Sequence, residues 1–213
     1  MMASAQPPHP VLLSPACERN KVPILAVLQD WLPSNARVLE IGSGGGQHAT
    51  FFCQQIAGLS WQASERPEAL AGLQTELAAV SPASLTLGSQ LLPPIDLDVT
   101  CTGQWPHQHY DAVFTANTCH ILPASALAQL LAGAALVLRP GGLLLLYGPF
   151  HDGGVHTAES NAAFDAHLRS LDPAMGVRDA QDLQEQARSL KLEPLADVAM
   201  PANNRVLVLE RQP

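Results

Sequence analysis

Residues 38–49, Val-Leu-Glu-Ile-Gly-Ser-Gly-Gly-Gly-Gln-His-Ala, constrain this chain more than any other stretch. An apolar run (Val38, Leu39, Ile41) stops at Gly42, Gly44, Gly45 and Gly46, and a helix-compatible segment starts at once. Glycine lets a backbone turn tightly and approach a ligand, because no Cβ intervenes. The helix N-terminus that follows offers unpaired N–H groups to a polar or anionic group. Strand, glycine turn and helix start together predict a nucleotide-type cradle.

The rest of the chain extends this unit. Apolar positions Ile24, Leu25, Leu28, Trp31 and Leu32 recur at helical spacing, with Asn20 as expected N-cap, Pro23 in the first turn and Pro33 as the stop. Strands are predicted at Arg37–Ile41, Ser60–Glu65, Pro93–Val99 (edge-like, since prolines precede it), Tyr110–Thr115 and Leu143–Tyr147. Helices are predicted over 47–56, 67–80 and 123–138, and Arg139-Pro140-Gly141-Gly142 reads as a turn into the fifth strand. After Phe150 a polar segment leads to helices over 161–170 and 180–191. Runs Pro194–Ala199 and Arg205–Glu210 follow, so close together that they must pair as an antiparallel hairpin. The expected fold is α/β: a Rossmann-like, doubly wound, mostly parallel seven-stranded sheet ending in that hairpin, with helices on both faces. Residues 1–13 are expected to be poorly ordered. Residues 14–213 form one domain in this reading, with a substrate-site insert around 150–180.

Composition narrows the partners. With 11 Lys and Arg against 19 Asp and Glu, the formal net charge is −8. Nucleic acid is disfavoured, because proteins that live on phosphate contacts show a basic face. Cys17, Cys53, Cys101 and Cys119 form no Cys-x-x-Cys pair and read as reduced, mostly structural thiols. No leader pattern is evident, and the longest apolar stretch, Leu127 to Leu138, falls short of the roughly 20 residues a membrane helix needs. A cytoplasmic protein without membrane contact is expected. His107 and His109 lack the company of a metal site, and none is expected.

A dinucleotide fingerprint asks for Gly-x-Gly-x-x-Gly, but Gln47 stands where its third glycine belongs. The short-chain dehydrogenase Tyr-x-x-x-Lys pair is also absent, since Cys17 and Ala187 precede the two lysines. The chain instead resembles the class I S-adenosylmethionine-dependent methyltransferases. Glu40 stands ahead of Gly42-x-Gly44-x-Gly46, Glu65 ends the second strand, Asp98-Val99 follows the third, and Leu138-x-Pro140-Gly141-Gly142 precedes the fifth. The segments Ser14–Leu25, Ala158–Asp165, Asp172–Asp179 and Met200–Asn204 resemble the methyltransferase-like 26 / domain of unknown function 938 family, from about Ser14 to the C-terminus.

The resemblance implies S-adenosyl-L-methionine as cofactor, S-adenosyl-L-homocysteine as product, and Glu40, Gly42, Ser43, Gly44, Gly46, Glu65, Arg66, Asp98, Val99 and Asn117 as its contacts. Glu65 would hold the ribose hydroxyls, because a carboxylate accepts from both at once. Asp98 would take the adenine amino group, with Asp96 in that role or a plain turn cap as the competing readings. Glu40 would meet loop N–H groups or the cofactor's amino end. His120, after the fourth strand, is the candidate general base, against a histidine that merely bonds backbone. Glu18, Asn20, Tyr147, Asn161, Arg178 and Asn203 are candidate substrate contacts for a small polar molecule. The competing reading is a module that binds the cofactor as sensor or scaffold without turnover.

Overall fold

The computed structural model describes residues 14–213; the expectation for 1–13 lies outside them. Helix α1 (Pro15–Trp31) leads into β1 (Arg37–Ile41), α2 (Gln47–Gln55), β2 (Ser60–Glu65), α3 (Pro67–Ala78), β3 (Gln90–Asp96), β4 (Tyr110–Ala116), α4 (Ala124–Val137) and β5 (Leu138–Gly148). Next come β6 (Phe150–Asp152), β7 (Val155–His156), α5 (Glu159–Leu171), β8 (Arg178–Asp179), α6 (Ala180–Ser189), β9 (Leu192–Met200) and β10 (Asn204–Arg211). The main sheet runs β3-β2-β1-β4-β5-β10-β9. Its first five strands are parallel, and β10 pairs antiparallel with both neighbours.

Period-two alternation sends successive side chains to opposite faces. On β5, Leu144 and Leu146 join one core, while Leu143, Leu145 and Tyr147 join the other; β10 divides Leu207 and Leu209 from Val206 and Val208 in the same way. One core is closed by Leu127, Leu130 and Leu131 of α4 with Leu183 of α6. The other is closed by Ile24 and Leu28 of α1, Phe52 of α2 and Leu73 of α3. Burying each such leucine stabilises by about 1.5–3 kcal/mol. Strand order reverses between β1 and β4, the switch point at which open α/β sheets hold ligands beyond their carboxyl ends.

Several boundaries depart from expectation. Helix α1 starts at Pro15, with the Ser14 hydroxyl accepting from the Cys17 N–H, so Pro23 lies inside the helix. Asn20 is not the cap; it turns its side chain inward. Strand β3 begins three residues earlier than expected and contains Pro93 and Pro94, which an edge strand tolerates through a register shift against β2. Asp98 and Val99 therefore lie beyond the strand. The expected turn at 139–142 is a bulge inside β5, where pairing with β4 jumps from Tyr110↔Leu138 to Ala112↔Leu143. The region after Phe150 carries its own small sheet, β7-β6-β8. Among the described residues, no helix is long and apolar enough to cross a membrane.

Candidate functional site

The glycine turn bridges β1 and α2 and has two distinct sides. At Gly46, the residue before α2, φ is +72° and an added Cβ would stand 2.6 Å from Leu77 Cδ2 of α3. That position is fixed by packing. At Gly44, φ is +56° and nothing lies within 4 Å of an added Cβ, so the tip of the turn faces open space. Gly42 backs onto Thr118, whose hydroxyl hydrogen-bonds Thr115 at 2.7 Å and so joins this turn to the one after β4.

Carboxylates close the same edge. Glu65, ending β2, accepts from the Gly44 N–H at 2.9 Å and from the Arg66 N–H at 2.9 Å. Asp98 accepts through Oδ1 from both the backbone and the hydroxyl of Thr100, and these bonds hold its carboxyl below the usual range. Among the described residues Asp98 Oδ2 has no partner, so the turn cap engages one oxygen and leaves the other. Arg66 is exposed beside Glu65. Val99 buries its side chain in the core, so only its backbone is presented at this edge.

Two residues expected in contact with a ligand have their side chains engaged inside the protein. Glu40 is 1% exposed; Oε2 accepts from Trp61 Nε1 at 2.9 Å and Oε1 lies 3.6 Å from His48 Nδ1. A carboxylate on a strand covered on both faces must find internal partners, and these two replace the loop N–H groups expected for it. Ser43 likewise places its hydroxyl between strands, accepting from the Ser64 N–H at 3.1 Å.

His48 and Trp61 carry no expectation from sequence, where Cys17 reads only as a structural thiol and Gln47 only as a missing glycine. His48 sits one turn before Phe52, stacks on it, and reaches Asn20 Oδ1 through Nε2 at 2.8 Å. Burial alone would lower its pKa; hydrogen bonds with Cys17 and Glu40 outweigh burial and raise it to about 9. Asn20 in turn bonds the Tyr147 phenol, whose pKa burial raises. The sequence signal was indirect: a glutamate in a buried strand demands a partner.

Beyond β4, Asn117 takes the left-handed conformation (φ +61°) and donates its N–H to Tyr147 O at 2.8 Å. A methyl placed on Gly148 would meet His120 Nδ1 at 3.7 Å and Asn117 Oδ1 at 3.9 Å, so both side chains approach the same backbone position. His120 is 6% exposed and edge-on to Phe164; burial, then the nearby Arg178 charge, lowers its pKa to about 4. It is a neutral, weakly basic imidazole at neutral pH.

The other proposed substrate contacts are engaged within the protein. Arg178 donates to Cys119 O at 3.1 Å, Ala174 O at 2.7 Å and Leu122 O, so it braces the loop after β4. Asn161 and Asn203 are brought together: Asn161 Nδ2 donates to Asn203 O at 3.0 Å, and Asn203 Nδ2 to Ser160 Oγ at 3.1 Å. Each ties α5 to the β9–β10 connection. Glu18 pairs with Lys21 at 2.6 Å and accepts from Gln47 at 3.0 Å at the surface. A groove of about 560 Å³ lies at the opposite edge, beside Asn35, Gly58 and Gly88; none of its lining residues ionises.

Seven strands in this order, with the glycine turn at the switch point, define the class I methyltransferase fold. The chain belongs to the family described as "Protein of unknown function (DUF938)", whose model matches residues 12–211. Among solved structures it is similar to an O-methyltransferase family protein from Burkholderia thailandensis (TM-score 0.75, 16% identity, 92% of this chain and 57% of that one). It is also similar to the S-adenosylmethionine-dependent methyltransferase SibL (0.73, 20%, 93% and 56%). A third is human N-acetylserotonin methyltransferase in complex with SAM (0.72, 15%, 93% and 53%). The chain thus spans a little over half the length of each.

Proposed function

We propose that this protein is a methyltransferase that uses S-adenosylmethionine to methylate a small polar molecule. The observation that carries the reading is the open face of Gly44 set against Glu65 and the unpartnered Asp98 Oδ2. Such a donor and acceptor set suits a nucleoside with an attached amino acid. When bound, the cofactor supplies an electrophilic methyl group on a sulfonium centre. Glu65 would hold the ribose hydroxyls, with Arg66 beside it. Asp98 would take the adenine amino group, and the Val99 backbone would line the same edge. Gly42, Gly44 and Gly46 let the turn come close, while Ser43 and Glu40 hold it from behind. Asn117 borders the methyl end.

A charged methyl donor needs mainly an aligned nucleophile in a dry pocket. His120, neutral and weakly basic, serves better to accept a hydrogen bond from the nucleophile than to remove its proton. The neighbours named as O-methyltransferases favour a hydroxyl oxygen as acceptor. A binding module without turnover is the second reading, favoured by the internal engagement of Arg178, Asn161 and Glu18. Incubation with methyl-labelled cofactor and a pool of small metabolites separates the two: S-adenosylhomocysteine and a labelled product support the enzyme. Saturable cofactor binding with no product from any pool supports the module.

A further inference from the structure

Asp98 and Val99 lie beyond the end of β3, where no strand pairing fixes them. A short 3₁₀ turn, Thr102–Gln104, folds back onto them, and the Cys101 N–H ahead of it donates to Asp98 O at 2.9 Å. Gln104 Oε1 accepts from the Asp98 N–H at 2.7 Å, while Gln104 Nε2 reaches Asp96 Oδ2 at 3.4 Å. One amide thus engages the Asp96 carboxyl and the Asp98 backbone, and leaves Asp98 Oδ2 free. Trp105, 5% exposed, donates from Nε1 to Val99 O at 3.3 Å. Its indole fills a gap in α4, where a Cβ on Gly133 would stand 2.0 Å from Trp105 Cε2. Among the described residues the Val99 N–H has no acceptor.

We propose that Gln104 and Trp105 are positioning residues that set Asp98 Oδ2 against the Val99 N–H and so make this edge selective for adenine over hypoxanthine. The inference rests on the methyltransferase reading of the edge. A free carboxylate oxygen beside a free backbone N–H is an acceptor beside a donor, the complement of the amino group and N1 of adenine. Hypoxanthine carries a keto oxygen in place of the amino group and an N–H at N1, so both contacts would set like against like. A site built to hydrogen-bond one pattern rejects the other because its own polar groups are left unpaired. Gln104 and Trp105 stand behind the pair and act through it.

Isothermal titration of the intact protein with S-adenosylhomocysteine and with S-inosylhomocysteine tests this. The wild type should bind the adenosine compound about 10-fold or more tightly than the inosine compound. Gln104→Ala, with folding checked by circular dichroism, should weaken the adenosine compound about 10-fold and change the inosine compound by no more than about 2-fold, bringing the ratio near parity. Trp105→Phe keeps a ring in the Gly133 gap without the Nε1 donor, and should lower the ratio less. A variant that only loosens the fold would weaken both compounds alike and leave the ratio unchanged. Should Gln104→Ala not fold, Gln104→Met, which keeps the length without the amide, is judged by the same ratio. Equal affinities in the wild type, or an unchanged ratio in the folded Gln104 variant, overturns the proposal while cofactor binding stands. A wild type that binds neither compound overturns the methyltransferase reading and the proposal with it.

Discussion

The two sides of the carboxyl edge use polar groups in opposite ways. Around β1, β2 and β3, Glu65 and Asp98 each lean on local backbone donors and face outward, while Gly44 leaves room in front of them. In the region after Phe150, Arg178 donates to three carbonyls, Asn161 donates to the β9–β10 connection, and Asp165 accepts from the Val177 N–H and from Arg169. The first side is a backbone frame with functional groups left over. The second uses its polar residues to hold irregular chain together. The two buried histidines mark the same contrast: His48 is raised by a carboxylate and a thiol, whereas His120 is lowered by burial and a neighbouring cation.

Substitution at the glycine turn probes that contrast most strongly. Gly46→Val forces a β-branched residue to positive φ and drives it into Leu77, and should cost about 3–4 kcal/mol in chemical denaturation. Gly44→Ala, facing open space, should cost no more than about 1–2 kcal/mol. Equal losses would mean that the turn is not divided into a packed and an open side.

On the other side, Arg178→Ala removes three carbonyl partners of a half-buried guanidinium and should destabilise by about 2–3 kcal/mol with cofactor affinity unchanged. A stable variant with impaired binding of a small-molecule acceptor would instead return Arg178 to the substrate site.

Acid titration sharpens the comparison further. His120 has a folded pKa of about 4, depressed below the ordinary unfolded value near 6.5, so the unfolded chain binds the extra proton between them. The stability it contributes is complete above about pH 6.5 and is lost as pH falls toward 4, reaching about 2 kcal/mol by pH 5. Denaturation of wild type and His120→Asn at pH 7 and pH 5 checks this, and the variant should lose about 2 kcal/mol less. Parallel losses would place His120 in solvent.

These elements also show what the sequence makes legible. Strands β1 and β2 fall within the expected bounds because glycine or proline marks their ends: Pro33 and Gly42 flank the first, Gly58 and Pro67 the second. The terminal hairpin follows from its short connection, whereas the order of the strands is visible only in the fold. The start of α1 departs from expectation because Pro23 has the look of a first-turn residue, whereas Ser14 caps the helix and Asn20 serves His48. Strand β3 slid by three residues because prolines pass for boundaries when an edge strand can contain them. The small sheet after Phe150 has strands of two and three residues, too short for any period. Glu40 and Arg178 carry the right chemistry for ligand contact, but their partners come from residues distant in sequence and only the fold reveals them.

The central claim is that the open side of the glycine turn holds S-adenosylmethionine through Glu65. Isothermal titration of the wild type and of Glu65→Ala with S-adenosylmethionine tests it most directly. Saturable binding by the wild type and a dissociation constant about 10-fold or more weaker in a stably folded Glu65→Ala protein are the predicted result, since hydrogen bonds to a charged group contribute about 1.5–3 kcal/mol. No heat of binding in the wild type, or equal affinity in the two proteins, would contradict it.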